Sequence, residues 1–319
     1  MVGAARVGLA VLAACIALTG RIALTGRIAL TGCIALTGCT TATADREIPR
    51  AAGHASAAAS AQPPGDQPAG MGTSFRTVTF TRGERKLDTT IVWPSTGDGP
   101  LPIILFGHGL GGLPPFYGEL LKRWAAAGFA VAAPAFPATR FGVDKVEIVD
   151  VPNQPADLSA VLDGLLALDQ QDPLRRRLDP QRVAAAGHSA GAISALGMFT
   201  ANGAEGRDKR IDAGILLAGN SLGVGERFTG DPVPLLFVHA SADPVVPTST
   251  GRSAYRAVPW PKGFLTLPGK EHIAPYLSPG DPAFPTVAAA TTDFLRWSLL
   301  GDSGAKTRLR AVPGLENKL

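Results

Sequence analysis

The sequence predicts an α/β fold, in which helices cover both faces of a mostly parallel, twisted sheet. Short, continuous apolar runs such as Pro102–Phe106 and Pro234–His239 are typical of strands that are buried on both sides. Between such runs lie segments whose apolar residues recur at helical spacing, most regularly from Leu158 to Leu166. Strands that alternate with helices in this way form a parallel sheet between two layers of helices.

The predicted strands begin with an antiparallel hairpin. Phe75–Thr81 alternates apolar and polar residues, Leu87–Trp93 is rich in β-branched residues, and a turn near Gly83 joins them. The later strands are apolar runs: Pro102–Phe106, Phe129–Ala133, Val183–Ala186, Ile211–Leu217, Pro234–His239 and Gly263–Leu267. The predicted helices run from near Pro115 to Gly128, from Pro155 through Leu166, from Ser189 through Phe199, and through Val287 to Gly301.

Changes in composition divide the chain into four parts. Residues 1–39 contain the pentapeptide Ile-Ala-Leu-Thr-Gly four times and are interpreted as an expanded export signal. Residues 40–73 are rich in Ala, Pro, Gly and Ser and are predicted to be a disordered linker. Residues 74–301 form the predicted folded domain, and the charged residues 302–319 are expected to be a loose tail.

The end of the first part carries a possible membrane anchor. Leu36-Thr37-Gly38-Cys39 resembles the bacterial lipoprotein signal, in which the cysteine becomes the lipidated first residue, so Cys39 is the predicted lipidation site. Similar tetrapeptides end at Cys33 and Cys15, and an ordinary secretory signal or a misassigned start are alternatives. We therefore expect an exported protein, either a cell-surface lipoprotein or secreted, that meets the membrane only through an N-terminal anchor.

Charge and cysteine content exclude several classes of function. Three of the 30 basic residues precede residue 39, which leaves 27 against 26 acidic residues in the rest of the chain and argues against nucleic-acid binding. All three cysteines lie within residues 1–39, so the rest of the chain has no disulfide, thiolate metal site or cysteine nucleophile. The sequence contains neither the ligand spacing of a metal site nor a dinucleotide-binding glycine fingerprint, so no metal and no cofactor are expected.

The predicted strand Val183–Ala186 ends in Gly187-His188-Ser189-Ala190-Gly191 and leads directly into a helix. A sharp turn of this kind holds its serine in a strained backbone conformation with the side chain clear of the sheet. The start of the helix also favours negative charge that develops beside that serine. Ser189 is therefore the candidate nucleophile.

Two further strand ends supply the partners that a serine nucleophile needs. Asp243 follows the strand Pro234–His239, and His272 follows the strand Gly263–Leu267 by five residues. The carboxyl ends of parallel strands share one edge of the sheet, so these side chains should meet Ser189 there. An imidazole accepts the serine proton and a carboxylate fixes the tautomer of the imidazole. His272 is preferred because the other histidines lie in the linker, in the glycine-rich loop, in a strand or beside the nucleophile. Asp243 is preferred because Asp212 lies at the N-terminal end of its strand and Asp231 lies in a loop before a strand.

The loop His108-Gly109-Leu110-Gly111-Gly112, which follows another strand, completes the predicted site. Two backbone N–H groups, those of Leu110 and Ala190, are expected to form an oxyanion hole. Contacts with the substrate are predicted for residues of this loop and of its neighbours: His108, Gly109, Gly111, His188, Phe136, Val245 and Val246.

Over about residues 75–300 the chain resembles the α/β-hydrolases. Gly107–Gly112, Asn153–Leu158 and Gly187–Gly191 are similar to the branch of dienelactone hydrolases, chlorophyllases and bacterial polyester hydrolases. Dienelactone hydrolases have Cys where this chain has Ser189, and polyester hydrolases favour an aromatic residue at Leu110 and usually have a C-terminal disulfide. The resemblance therefore implies a serine esterase and leaves its substrate, a small-molecule or polymeric ester, open.

Two other functions remain as alternatives: acyl transfer to an alcohol of the cell envelope by the same triad, and ligand binding by a non-catalytic surface lipoprotein. A monomer without a cap domain is expected. Neither Ala218–Val233 nor Pro137–Val151 has the apolar periodicity of a helical lid, so the mouth of the site should be open.

Overall fold

A computed structural model describes residues 72–201 and 207–319 of the protein. The export signal, the proposed lipidation site Cys39 and almost all of the predicted linker lie outside these residues. Within the described residues, no helix is both long enough and apolar enough to cross a membrane.

The described chain forms a single nine-stranded sheet. Its strands are β1 (Thr73–Arg82), β2 (Arg85–Pro94), β3 (Leu101–Gly107), β4 (Ala130–Ala135), β5 (Leu178–His188), β6 (Ala213–Leu217), β7 (Leu235–Ala240), β8 (Lys262–Leu267) and β9 (Leu315–Lys318). The α-helices are α1 (Gly118–Ala126), α2 (Gln154–Leu166), α3 (Ala190–Gly197), α4 (Thr248–Ala257), α5 (Ala274–Leu277), α6 (Phe284–Leu300) and α7 (Ser303–Arg310).

The strand order confirms the predicted mostly parallel α/β architecture. Across the sheet the order is β1-β2-β4-β3-β5-β6-β7-β8-β9. All pairings from β4 through β8 are parallel, whereas β1–β2, β2–β4 and β8–β9 are antiparallel. The hairpin that opens the predicted series is β1–β2, and helices α4 and α5 have no counterpart in the sequence prediction.

The central strands are buried on both faces. All seven residues of β3 are buried. Ile103 and Leu105 belong to one core cluster, with Leu158 of α2. Ile104 and Phe106 belong to a second cluster, with the helices α1 and α6. The continuous apolar runs in the sequence are explained by this double burial, because side chains of a strand point alternately to opposite faces.

The C-terminal residues 302–319, which were expected to be loose, are instead part of the fold. They form α7 and β9, and β9 pairs with β8 in antiparallel register. The Asp302 side chain caps α7 by accepting a hydrogen bond of 2.9 Å from the Ala305 N–H. Ala305 and Leu309 are fully buried. The helix α7 packs against α6, and Leu309 joins the core cluster to which the buried residues of α6 belong, so few apolar residues are needed to fix this segment.

We predict that Leu309→Ala lowers the free energy of unfolding by about 2–5 kcal/mol, because it leaves a cavity beneath α7. The control is Leu300→Ala, since Leu300 is 39% exposed and its truncation removes little buried surface. Urea denaturation of both variants measures the difference. Equal, small effects of the two substitutions would mean that the C-terminal segment is not packed on the domain.

Candidate active site

The carboxyl ends of β5, β7 and β8 bring together the three side chains that were predicted to cooperate. The Ser189 Oγ lies 2.9 Å from the His272 Nε2. The His272 Nδ1 lies 2.7 Å from the Asp243 Oδ2. The three groups thus form one continuous hydrogen-bonded chain, in the order that a nucleophile, a general base and an orienting carboxylate require.

Ser189 has an unusual backbone conformation. It sits between β5 and α3 with φ 56° and ψ −120°, a region that non-glycine residues rarely adopt and that costs about 1–3 kcal/mol. Close packing around the turn holds it there. A Cβ on Gly191 would lie 2.0 Å from the Gly107 carbonyl oxygen, and a Cβ on Gly187 would lie 2.2 Å from the Gly191 carbonyl oxygen. Any side chain at Gly187 or Gly191 would push β3, β5 and α3 apart.

Asp243 is held as an anion by its surroundings. Its Oδ1 accepts hydrogen bonds of 2.8 Å from the N–H groups of Val245 and Val246. Burial alone would raise the pKa of Asp243, but the hydrogen bond and electrostatic attraction of the His272 ring, together with the two N–H groups, outweigh burial and hold the pKa below its usual range. The predicted substrate contacts Val245 and Val246 therefore orient the carboxylate through their backbone, and Val246 is buried.

A second histidine, His239, lies near the carboxylate but is engaged elsewhere. Its Nε2 is 3.6 Å from the Asp243 Oδ2 and donates instead to the Val246 carbonyl at 2.9 Å. Burial lowers the pKa of His239, so the ring is neutral. With an ionised Asp243 bound to its Nδ1–H, His272 presents the lone pair of Nε2 to the Ser189 hydroxyl, which is the tautomer that a general base needs.

The loop of residues 108–112 lies against the nucleophile. A Cβ on Gly109 would be 3.2 Å from the Ser189 Cβ. The N–H of Ala190, at the first position of α3, has no partner within the helix. Among the described residues, neither this N–H nor that of Leu110 donates a hydrogen bond to another protein group. Both predicted oxyanion donors are therefore free to bind a substrate oxygen.

His108 determines the direction of the Gly109–Leu110 peptide. The Gly109 carbonyl lies 2.7 Å from the His108 Nδ1 and also accepts from the Gly112 N–H at 2.9 Å. The His108 Nε2 accepts the Phe136 N–H at 3.0 Å, so the proton of the neutral ring is on Nδ1. Because the C=O and N–H of a planar trans peptide point in opposite directions, these contacts aim the Leu110 N–H away from His108.

Three side chains that were predicted to touch substrate are buried instead. His108, Phe136 and His188 expose no more than 3% of their surface. They pack beneath the site because strand ends and tight loops leave their rings facing the core. Gly109 is buried as well, and Gly111 donates its N–H to the Thr139 carbonyl at 2.8 Å. These residues support the site; Leu110 remains half-exposed beside it.

A buried polar network that sequence reasoning missed supports the other end of the loop. Gln154, fully buried at the start of α2, donates to the Thr139 Oγ1 at 2.8 Å and accepts from the Ser194 hydroxyl at 2.6 Å. Thr139 in turn holds the Gly111 N–H. The signal in the sequence was a glutamine directly before the predicted helix, a position where a polar side chain is ordinary.

Large apolar side chains are exposed around the site. Phe116 and Phe141 form an edge-to-face pair with ring centroids 5.9 Å apart, and they are 44% and 60% exposed. The Phe141 N–H donates to the Gly112 carbonyl at 2.9 Å, which fixes this pair beside residues 108–112, called the oxyanion loop after their predicted role. Ile273, directly after His272, is 54% exposed. The surface next to the triad therefore suits an apolar group.

No known protein-family model matches this sequence, and no curated protein is significantly similar to it. Within the described residues, no group of three or more His, Cys, Asp or Glu side chains is arranged to hold a metal ion.

The buried histidines predict a dependence of stability on pH. Burial lowers the pKa of His108 to about 4 and that of His188 to about 3, whereas an unfolded histidine titrates near 6.5. As the pH falls below about 6.5, only the unfolded chain gains these protons, so the free energy of unfolding should fall by up to about 1.4 kcal/mol per pH unit for each histidine.

Urea denaturation between pH 7.5 and pH 4.5 tests this dependence. The variant His108→Asn keeps a donor near the Gly109 carbonyl but cannot titrate. Its unfolding should take up about one proton fewer, so its free energy of unfolding should depend less steeply on pH. A free energy of unfolding that stays constant over this range would contradict the assignment of buried neutral histidines.

Proposed function

We propose that this protein is a serine esterase of the α/β-hydrolase type that cleaves carboxylic esters through an acyl-enzyme. The observation that carries the proposal is the hydrogen-bonded chain Ser189–His272–Asp243, whose serine stands in a strained turn at the start of α3. A turn of this kind exposes the hydroxyl to substrate while the helix start stabilises negative charge.

The first half of the reaction forms the acyl-enzyme. The His272 Nε2 takes the Ser189 proton as the Oγ attacks the ester carbonyl, and the N–H groups of Leu110 and Ala190 donate to the oxyanion of the tetrahedral intermediate. The imidazolium, stabilised by Asp243, then gives that proton to the leaving alcohol oxygen as the C–O bond breaks. In the second half, water attacks the acyl group with the same proton transfers and releases the acid and free Ser189.

The exposed rim supports a preference for esters with an apolar acyl or alcohol group. Phe116 and Phe141 lie beside the oxyanion loop, and Ile273 follows the general base. An apolar group that covers these side chains removes their surface from water, which contributes about 25 cal/mol per Å². Both small and polymeric esters can present such groups.

The test of the nucleophile is Ser189→Ala, which should reduce hydrolysis of a p-nitrophenyl ester by a factor on the order of 10³ or more without unfolding the protein. A fluorophosphonate probe should label the native chain and not this variant. The matched control is Ser249→Ala, an exposed serine at the start of α4 that should keep full activity and labelling. Labelling that survives Ser189→Ala would refute the proposal.

Neither of the two segments that could have formed a lid contains an α-helix. Residues 218–233 contain turns and no α-helix, and residues 137–151 contain turns and the start of a 3₁₀-helix, Ile148–Asn153. A site of this form needs no lipid surface to uncover it.

We therefore predict that the rate of tributyrin hydrolysis rises smoothly with substrate concentration and shows no jump when the substrate passes its solubility limit. A titration of tributyrin through that limit, with release of acid as the readout, measures this. Abrupt activation at the emulsion would show that a segment closes over Ser189 in solution.

A further inference from the structure

Two buried side chains, Tyr117 and His188, lie between the oxyanion loop and the general base, and the mechanism above does not use them. Each exposes only 3% of its surface. The Gly109 N–H donates to the Tyr117 Oη at 3.0 Å, the Tyr117 Oη lies 2.9 Å from the His188 Nδ1, and the His188 Nε2 lies 2.8 Å from the His272 carbonyl oxygen. These contacts form an unbroken chain from one side of the site to the other.

The hydrogen bonds in this chain all run in one direction, from donor to acceptor. A carbonyl oxygen only accepts, so the His188 Nε2 carries the proton and donates to His272. Burial, the largest cause, lowers the pKa of His188, so its ring is neutral and its Nδ1 accepts from the Tyr117 hydroxyl. The Tyr117 oxygen then accepts the Gly109 N–H. Each of these donors and acceptors has a partner, and rotating any one group would leave a buried polar atom unpaired.

The same residues also support the ring of the general base. The His188 ring centroid lies 4.8 Å from that of His272 and 4.9 Å from that of Tyr276. Among the described residues, the His272 carbonyl accepts no hydrogen bond other than that of His188. His188 therefore anchors both the backbone and the ring face of a residue that otherwise lies in a loop.

At its other end, this chain of hydrogen bonds holds Gly109, whose carbonyl belongs to the same peptide as the Leu110 N–H. Tyr117 fixes the Gly109 N–H, and His108 and Gly112 fix the Gly109 carbonyl. With both of its sides anchored, Gly109 leaves the Leu110 N–H a single orientation.

We propose that Tyr117 and His188 are positioning residues that couple the oxyanion peptide to the general base His272, so that one chain of hydrogen bonds sets the geometry on both sides of the reacting carbonyl. This inference rests on the proposed esterase function. Neither side chain touches the substrate, so their contribution is to the alignment reached in the transition state and not to the binding of substrate.

The first test is Tyr117→Phe, which keeps the ring and removes only the oxygen that joins Gly109 to His188. We expect kcat for a p-nitrophenyl ester to fall by a factor on the order of 10 to 100 while KM stays within about twofold. The control is Tyr255→Phe, because Tyr255 is also buried and its hydroxyl bonds to Glu316 of β9 at 3.0 Å, outside the hydrogen bonds that join Gly109 to His272. It should lose thermal stability to a similar extent and keep kcat.

The second test separates the two halves of the chain at His188. In His188→Gln the terminal amide reaches the position of Nε2 and can still donate to the His272 carbonyl, whereas in His188→Asn the shorter amide can only replace Nδ1 as the partner of Tyr117. We expect His188→Gln to retain about 10-fold more kcat than His188→Asn. The far-downfield proton resonance of the His272 Nδ1–H should be shifted in His188→Asn and close to native in His188→Gln.

The outcomes are distinct. A Tyr117→Phe variant with native kcat, or equal kcat in the two His188 variants, would overturn the coupling while hydrolysis that depends on Ser189 still supported the esterase. A native chain without hydrolysis that depends on Ser189 would instead overturn the proposed function. If Tyr117→Phe does not fold, the comparison of the two His188 variants decides.

Discussion

The close approach of β3, β5 and α3 is the constraint on which the site depends. Gly107, Gly187 and Gly191 meet backbone to backbone, with no room for a Cβ at the last two. This packing forces the chain to turn within one residue and leaves Ser189 at positive φ. The strain at one residue is small beside the apolar surface that the packed strands and helices bury, so the fold can maintain it. The position of the Ser189 hydroxyl thus originates in this packing.

Around that turn, polar groups are buried only where they have partners. Two networks reach the oxyanion loop from opposite sides, one through Tyr117 and His188 and one through Gln154 and Ser194. Neutral histidines suit such networks, because each ring has one donor and one acceptor and so can connect two backbone groups. A charged ring in the same place would have lost its acceptor and its hydration together. The buried rings of His108 and His188 are consequently uncharged supports of a site in which the carboxylate of Asp243 is ionised.

Much of the fold and the triad could be predicted from sequence, and the reason is geometric. Buried parallel strands are continuous apolar runs, and their carboxyl ends share an edge, so the residues that follow them, Ser189, Asp243 and His272, must lie near each other. The roles of His108 and His188 could not be predicted, since the direction of a side chain in a tight loop depends on backbone angles that no periodicity reveals. Both side chains were predicted to contact the substrate, and both are buried in the structure.

Residues that act through partners distant in the sequence could not be predicted either. A tyrosine such as Tyr117 is indistinguishable in sequence from an ordinary core aromatic residue, and its partners are 8 and 71 positions away. The packing of the C-terminal segment 302–319 was not predicted for a different reason. Charged residues recur along it, and Ala305 and Leu309 are the buried residues of its helix. Two residues are too few to establish a period.

The pairing of β9 with β8 also bears on how the protein is made. A chain grows from its N-terminus, so β8 and the loop that carries His272 leave the ribosome before the residues that pair with β8. Until β9 forms, the backbone groups on that side of β8 have no neighbour, and an unpaired apolar strand is a surface on which another chain can add. Pairing replaces this apolar edge by β9, a short strand with mostly exposed residues, which is a poorer surface for self-association.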